Sequence, residues 1–225
     1  MSLRGHGFVV LWSGLMPGYE REFDSWHTIE HMPERLGVPG FLRGRRYMRA
    51  SSTSAHAMFI LYEGAHSDTF RSPGLLARLN DPSEWTKRVQ AGLTGFVRGP
   101  CRKLISLGDG VGGAIITLRL TRASGESETA HALLKAVPNI AQLHGVTSVH
   151  VGQHVPDRSF VETAETKLRP SDATSDFSFV VLVEGIGVSQ LEQALPQAVA
   201  AVTDASPGPC EAGVYVLAYA LDVAG

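Results

Sequence analysis

Cysteine is almost missing from this 225-residue chain: Cys101 and Cys210 are the two present. Two thiols cannot build a disulfide scaffold, so stability must come from a packed core, and a reduced compartment is expected. Charge of one sign is equally scarce. A formal net charge of −2 and the absence of any long basic run argue against nucleic acid or an anionic membrane surface as a partner. Long apolar runs are missing too, since stretches such as Phe177 to Val183 fall far short of a bilayer span. No charged-then-apolar leader opens the chain, so a cytoplasmic location is the expectation. No P-loop, dinucleotide or flavin signature occurs, and no redox cofactor is expected. The 108–112 glycine-rich run (GDGVG) precedes a strand instead of opening a helix, which removes the phosphate-loop reading.

What remains is an ordinary globular composition, 44% hydrophobic and 19% charged, arranged as an internal repeat. Phe8 to Leu15 and Gly113 to Leu120 read as buried strands whose starts lie 105 residues apart. Helical segments come next, at Tyr19 to Leu36 and Glu126 to Ile140. Gly40 and Gly145, again 105 apart, each open a second strand. A third strand ends on Glu-Gly in both copies, at Gly64 and Gly185. Further helical segments span Asp68 to Gln90 and Ser189 to Val202. Gly99-Pro100-Cys101 and Gly208-Pro209-Cys210 then lead into a last strand.

Strand–helix–strand–strand–helix–strand, twice, predicts an α+β protein of two tandem ferredoxin-like βαββαβ repeats, residues 4–107 and 113–225, joined by a 108–112 linker. Such a sheet covers one face with its helices and leaves the other bare. Packing the two sheets together would bury both bare faces in a barrel-like interior. Cys101 and Cys210 fall at equivalent places, which favours packing over catalysis. A monomer is possible on this plan, and so is a homodimer.

The run Trp26-His27-Thr28-Ile29-Glu30-His31-Met32-Pro33-Glu34-Arg35, with Val38-Pro39-Gly40-Phe41 and Arg45-Arg46-Tyr47, resembles the dimeric α/β-barrel superfamily, and more narrowly its EthD-like and related members. The motif covers about thirty residues. The resemblance implies a small-molecule ligand; that superfamily includes cofactor-free monooxygenases, isomerases, cyclases and haem-binding enzymes, so it speaks for fold more than chemistry.

On a regular helix, Phe23, Trp26, His27, Glu30 and His31 share one arc of roughly 140°, beside a core stripe of Ile29, Met32 and Leu36. Glu30 and His31 thus form a candidate acid–base pair, with Trp26 and His27 as substrate-binding neighbours. The bland alternative makes the histidines boundary residues of an amphipathic helix. Offset by 105, Trp26, His27, Glu30 and His31 become His131, Ala132, Lys135 and Ala136, so one site per chain is expected. His27 to His31 also spells H-x-x-E-H, but so short a match arises easily by chance, Pro33 interrupts the helix and nothing else suggests a protease, so no metal is expected.

Some 16 extra residues separate the middle strands of the second copy, around 154–175, and suggest a lid. Within it Thr163, Glu165 and Arg169 form a T-x-E-x-x-x-R pattern; Glu165 and Arg169 are either a surface i,i+4 ion pair or ligand contacts. Arg45 and Arg46 must face opposite sides of a strand, so that Arg45 with Tyr47 is a further candidate substrate-binding pair. The function expected is a cofactor-independent enzyme acting by proton transfer on a small carbonyl-bearing or aromatic molecule. The alternative is a non-catalytic ligand-binding or stress-associated protein.

Overall fold

The computed structural model describes residues 3–50, 52, 54–121, 125–156, 162–168 and 177–223. The chain runs β1 (Gly7–Leu15), α1 (Glu20–Trp26), a π-helical turn (His27–His31), α2 (Met32–Leu36), β2 (Phe41–Arg49) and β3 (Met58–Gly64). A 3-10 turn (Ser67–Arg71), α3 (Pro73–Asn80), α4 (Glu84–Gln90) and β4 (Leu93–Gly108) complete the first half. The second half holds β5 (Ala114–Leu120), α5 (Glu126–Ala141), β6 (Val146–His154), a 3-10 turn (Thr166–Leu168), β7 (Phe179–Gly185), α6 (Val188–Ala205) and β8 (Cys210–Asp222). No helix among the described residues is long and apolar enough to cross a membrane.

All eight strands form one closed antiparallel barrel in the order β1-β3-β2-β8-β5-β7-β6-β4. Each half contributes four neighbours, in the orders β4-β1-β3-β2 and β6-β7-β5-β8. The halves meet through hydrogen-bonded edges, β2 against β8 and β4 against β6. The sheets therefore close edge to edge and are not stacked as separate layers, which leaves no barrel edge unpaired. Gly40 and Gly145 both adopt positive φ (95° and 81°) where a helix gives way to a strand, the conformation glycine takes most readily.

Two expected boundaries moved. The Asp68 to Gln90 helix is broken into three pieces, because Pro82 disfavours a helical Asp81 and Ser83 caps a new helix by accepting from Thr86 N at 3.0 Å. β4 begins at Leu93, so Gly99-Pro100-Cys101 lies inside it. Pairing to β6 begins only at Cys101, and the missing Pro100 N–H falls just before that ladder.

The barrel interior is filled. Phe8, Val10, Trp12, Phe59, Leu61 and Tyr215 are among its buried side chains. Trp12 Nε1 donates to Thr117 Oγ1 across it at 3.2 Å. One end carries a sealed ionic cluster built on the Glu-Gly strand ends. Arg43 grips Glu63 bidentately at 2.7 and 2.9 Å. Arg45, 0% exposed, lies 3.0 Å from Glu63 and 2.9 Å from Glu184, both also 0% exposed, and donates to Tyr47 OH at 2.9 Å. His150 Nε2 approaches Glu184 at 3.1 Å. In the strand registers Ser148 stands opposite Glu184 where Arg43 stands opposite Glu63. Burial alone would raise the Glu184 carboxyl, but His150 and Arg45 outweigh it and pull the group down to about 2.

Arg45→Met should cost about 3–5 kcal/mol of stability, because two buried carboxylates lose a shared counter-ion; urea unfolding measures it. The depressed Glu184 group contributes stability above its unfolded value near 4.5, and this is lost as pH falls toward 2. An acid titration of the unfolding free energy should show that window, and Glu184→Gln should shrink it.

Candidate functional site

The two helix layers differ. In the second half, Leu133, Val137, Ile140, Leu191 and Val202 pack directly on aliphatic residues of the sheet. In the first half aromatic and polar side chains join the aliphatic ones between helices and sheet, and a cavity of about 60 Å³ is left. Its walls include Phe23, Trp26, His27, His31, Arg35, Tyr62, Gln90 and Glu165. By volume it holds about four waters, less than the about 150 Å³ of a dry cavity that binds benzene.

The π-helical turn sets up this wall. α5 buries Thr129, Leu133, Val137 and Ile140, in steps of four, four and three. The matching face in the first half buries Phe23, His27, Met32 and Arg35, in steps of four, five and three. The step of five is the extra residue. Met32 N–H reaches back to His27 O, and Pro33 then has no N–H to donate. One inserted residue rotates the remainder of the helix by about 100° relative to a regular one. Ile29, expected in the core stripe, is accordingly 69% exposed, whereas His27 and His31 both reach the cavity.

His27 is buried, with Nε2 3.3 Å from Tyr62 OH and with Nδ1 lacking a hydrogen-bond partner among the described residues. Desolvation, then the positive Arg46 and Arg35, holds its pKa well below the ordinary value, so the ring is neutral. Burial pushes the Tyr62 phenol up, keeping it protonated. His31 is half-buried; its ring centroid lies 4.2 Å from that of Trp26 and 5.5 Å from that of His27.

Glu30 does not join His31 in the cavity. It accepts from Ser83 Oγ at 2.5 Å and Thr86 Oγ1 at 3.2 Å, at the start of α4. Thr86 Oγ1 also receives Trp26 Nε1 at 3.1 Å, so Glu30 braces the tryptophan through Thr86. The acid–base pair expected from the helix projection is thereby corrected, for the same change of phase that exposes Ile29.

Arg45 and Tyr47 are also not part of this cavity. Both point into the barrel, because alternate residues of β2 face opposite sides, and the sheet separates them from His31. Arg46, on the helix side, lies 3.5 Å from Asp24 and 5.8 Å from the Phe23 ring centre.

The insertion reaches across the molecule. Residues 162–168 lie against the end of α3, with Glu165 N donating to Leu79 O at 2.9 Å and Ala164 N to Asn80 Oδ1 at 3.2 Å. Glu165, 2% exposed, enters the cavity, where it pairs with Arg35 and accepts from Gln90 Nε2 at 3.2 Å. Arg169 lies outside the described residues. Arg35, Gln90 and Tyr62 are site residues that sequence reasoning missed. Arg35 carried a usable signal, standing four residues beyond His31 on the same helix, whereas Gln90 and Tyr62 carried none. Among the described residues no group of three or more His, Cys, Asp or Glu is arranged to hold a metal.

No protein-family model matches the chain, and no curated protein matches it. Solved structures do. An anthrone oxidase-like protein superposes with a TM-score of 0.67 at 13% identity, over 99% of this chain and 95% of that one. A candidate monooxygenase from Fusobacterium nucleatum gives 0.57 at 10% identity, over 99% and 97%. A chlorite dismutase variant from Candidatus Nitrospira defluvii gives 0.54 at 12% identity, over 95% and 90%. At such identities the likeness shows the fold, that of the dimeric α/β barrels.

A neutral buried His27 ties stability to pH in a second window. The unfolded chain takes up a proton near pH 6.5 that the folded protein resists, so stability is full above that value and falls below it. Between pH 6.5 and 5 the wild type should lose up to about 1.4 kcal/mol per pH unit. His27→Gln should flatten that stretch of the urea-midpoint curve; an unchanged slope would contradict a neutral His27.

Proposed function

We propose that the protein is a cofactor-independent enzyme that moves a proton on a small carbonyl-bearing or aromatic molecule held in this cavity. One observation carries the reading: His31 shares an enclosed, aromatic-walled space with a neutral imidazole and a buried guanidinium. His31 acts as the base, taking a proton from an acidic C–H or O–H of the substrate. The electrons left behind collect on the substrate oxygen, as an enolate or phenolate, where the positive Arg35 stabilises them. Because His27 stays neutral, it adds no repulsion to the charge His31 gains 5.5 Å away. Trp26 fixes one face of the His31 ring, and Glu30 positions Trp26 through Thr86.

The anion so formed is reprotonated elsewhere in an isomerisation, or reacts with dioxygen on its own electrons. The oxidase-like and monooxygenase names of the structural neighbours favour the second course. A haem-dependent reading fits poorly. The second half has aliphatic packing between helices and sheet, and a haem macrocycle is many times larger than the first half's cavity.

Residues 4–107 and 113–225 are, on this reading, two copies of one ferredoxin-like unit of EthD-like or related type, the second specialised for support. Their matching strand orders and the equivalent stations of Glu63 and Glu184 favour it.

The test is solvent-deuterium uptake into a panel of small phenols, hydroxyketones and β-dicarbonyls, with oxygen consumption followed in parallel. His31→Ala should lower kcat/KM at least about 100-fold without changing the circular dichroism spectrum. Turnover at the wild-type rate in that variant would remove His31 from the mechanism. Ligand binding with no turnover by the wild type would leave a binding protein.

A further inference from the structure

We infer that the Glu165 carboxylate occupies a position made for a ligand carboxylate, and that segment 162–168 is a strap which a small monocarboxylate displaces. The strap belongs to the second half, yet its carboxylate is received by side chains from two helices of the first. Arg35 from α2 and Gln90 from α4 both donate to it, and they are 5% and 2% exposed. Two buried donors from separate elements converging on one carboxylate make an anion site, whichever carboxylate fills it. The guanidinium presents a planar fork suited to two parallel bonds, and its other arm meets the half-exposed Glu34, at 3.3 Å.

Among the described residues, the Leu79 and Asn80 bonds tie the strap's backbone to the first half, beside Glu165's own side chain. Thr163 and Thr166 bond each other, holding the strap's shape and not its place. Volume points the same way. With Glu165 inside, about 60 Å³ cannot take a single aromatic ring; with the strap withdrawn, the volume of the whole Glu165 side chain is added to that space, and the charge given up is that of a carboxylate. A ligand bearing one carboxylate on a small ring or short chain then replaces Glu165 on Arg35 and Gln90, with its remainder between Trp26 and His31.

This rests on the cavity being the ligand site and not on His31 chemistry, so its test reads binding alone. Benzoate and the neutral benzamide are titrated into wild type, Glu165→Gln, and the Glu165→Gln/Arg35→Gln double variant by calorimetry. Glu165→Gln should bind benzoate at least tenfold tighter than wild type, benzamide should gain less, and the double variant should lose the gain. Equal or weaker benzoate binding by Glu165→Gln, or an equal gain for benzamide, overturns the proposal. If Glu165→Gln is too unstable to titrate, benzoate must raise its Tm by more than it raises that of wild type; an equal shift counts against the inference. In wild type, saturating benzoate should speed hydrogen exchange of the Glu165 amide, which is bonded to Leu79 O. Unchanged protection with benzoate bound overturns the displacement.

Discussion

Arg45 holds a full positive charge in a space closed to water, and the barrel is assembled around that charge. Desolvating a guanidinium is costly unless anions compensate it at hydrogen-bonding distance. One anion, Glu63, comes from the neighbouring strand of the same half; the other, Glu184, comes from the far half. Arg43 adds a second cation on Glu63, and His150 stands beside Glu184. Glu63 finds both its arginines in its own half, whereas Glu184 takes its arginine from the other half. The β2–β8 and β4–β6 edges and the ionic cluster therefore depend on one another, which is why the eight strands form one barrel.

With the interior given over to packing and this cluster, any ligand space must lie outside the barrel, under the helices. There the halves part company. Aliphatic side chains of α5 and α6 fill the second half's layer, whereas in the first half rings and polar groups join the aliphatic ones around a gap. The π-helical turn is decisive, since one additional residue brings Met32 and Arg35 to the face that carries His27 while Ile29 turns to solvent. The second half still takes part, sending Glu165 across to cover the gap it lacks itself.

β2 divides the two charge systems by its pleat alone. Arg43, Arg45 and Tyr47 look into the barrel, while Gly44 and Arg46 look toward the helices; a Cβ at Gly44 would sit 2.9 Å from Met32 Cγ and 3.0 Å from the Tyr62 ring. The inner system lies within the barrel, and the outer system lies between sheet and helices. A charge on one face reaches the other only through the sheet, so the barrel cluster supports the cavity without touching its contents.

Local chemistry was enough to read the order of elements, the glycines that open strands at Gly40 and Gly145, and the opposite facing of Arg45 and Arg46. Each depends on residues close in sequence or on strand alternation, which has no other solution. The tertiary structure alone decided the partner of Glu165, because Arg35 lies 130 residues away and no local rule joins them. It also decided the fate of Glu30 and Ile29, since a regular helical projection cannot register a π turn whose extra residue shifts everything downstream. The burial of Glu63 and Glu184 belongs there too: a carboxylate ending a strand reads as solvated until barrel closure supplies the cation that lets it leave water.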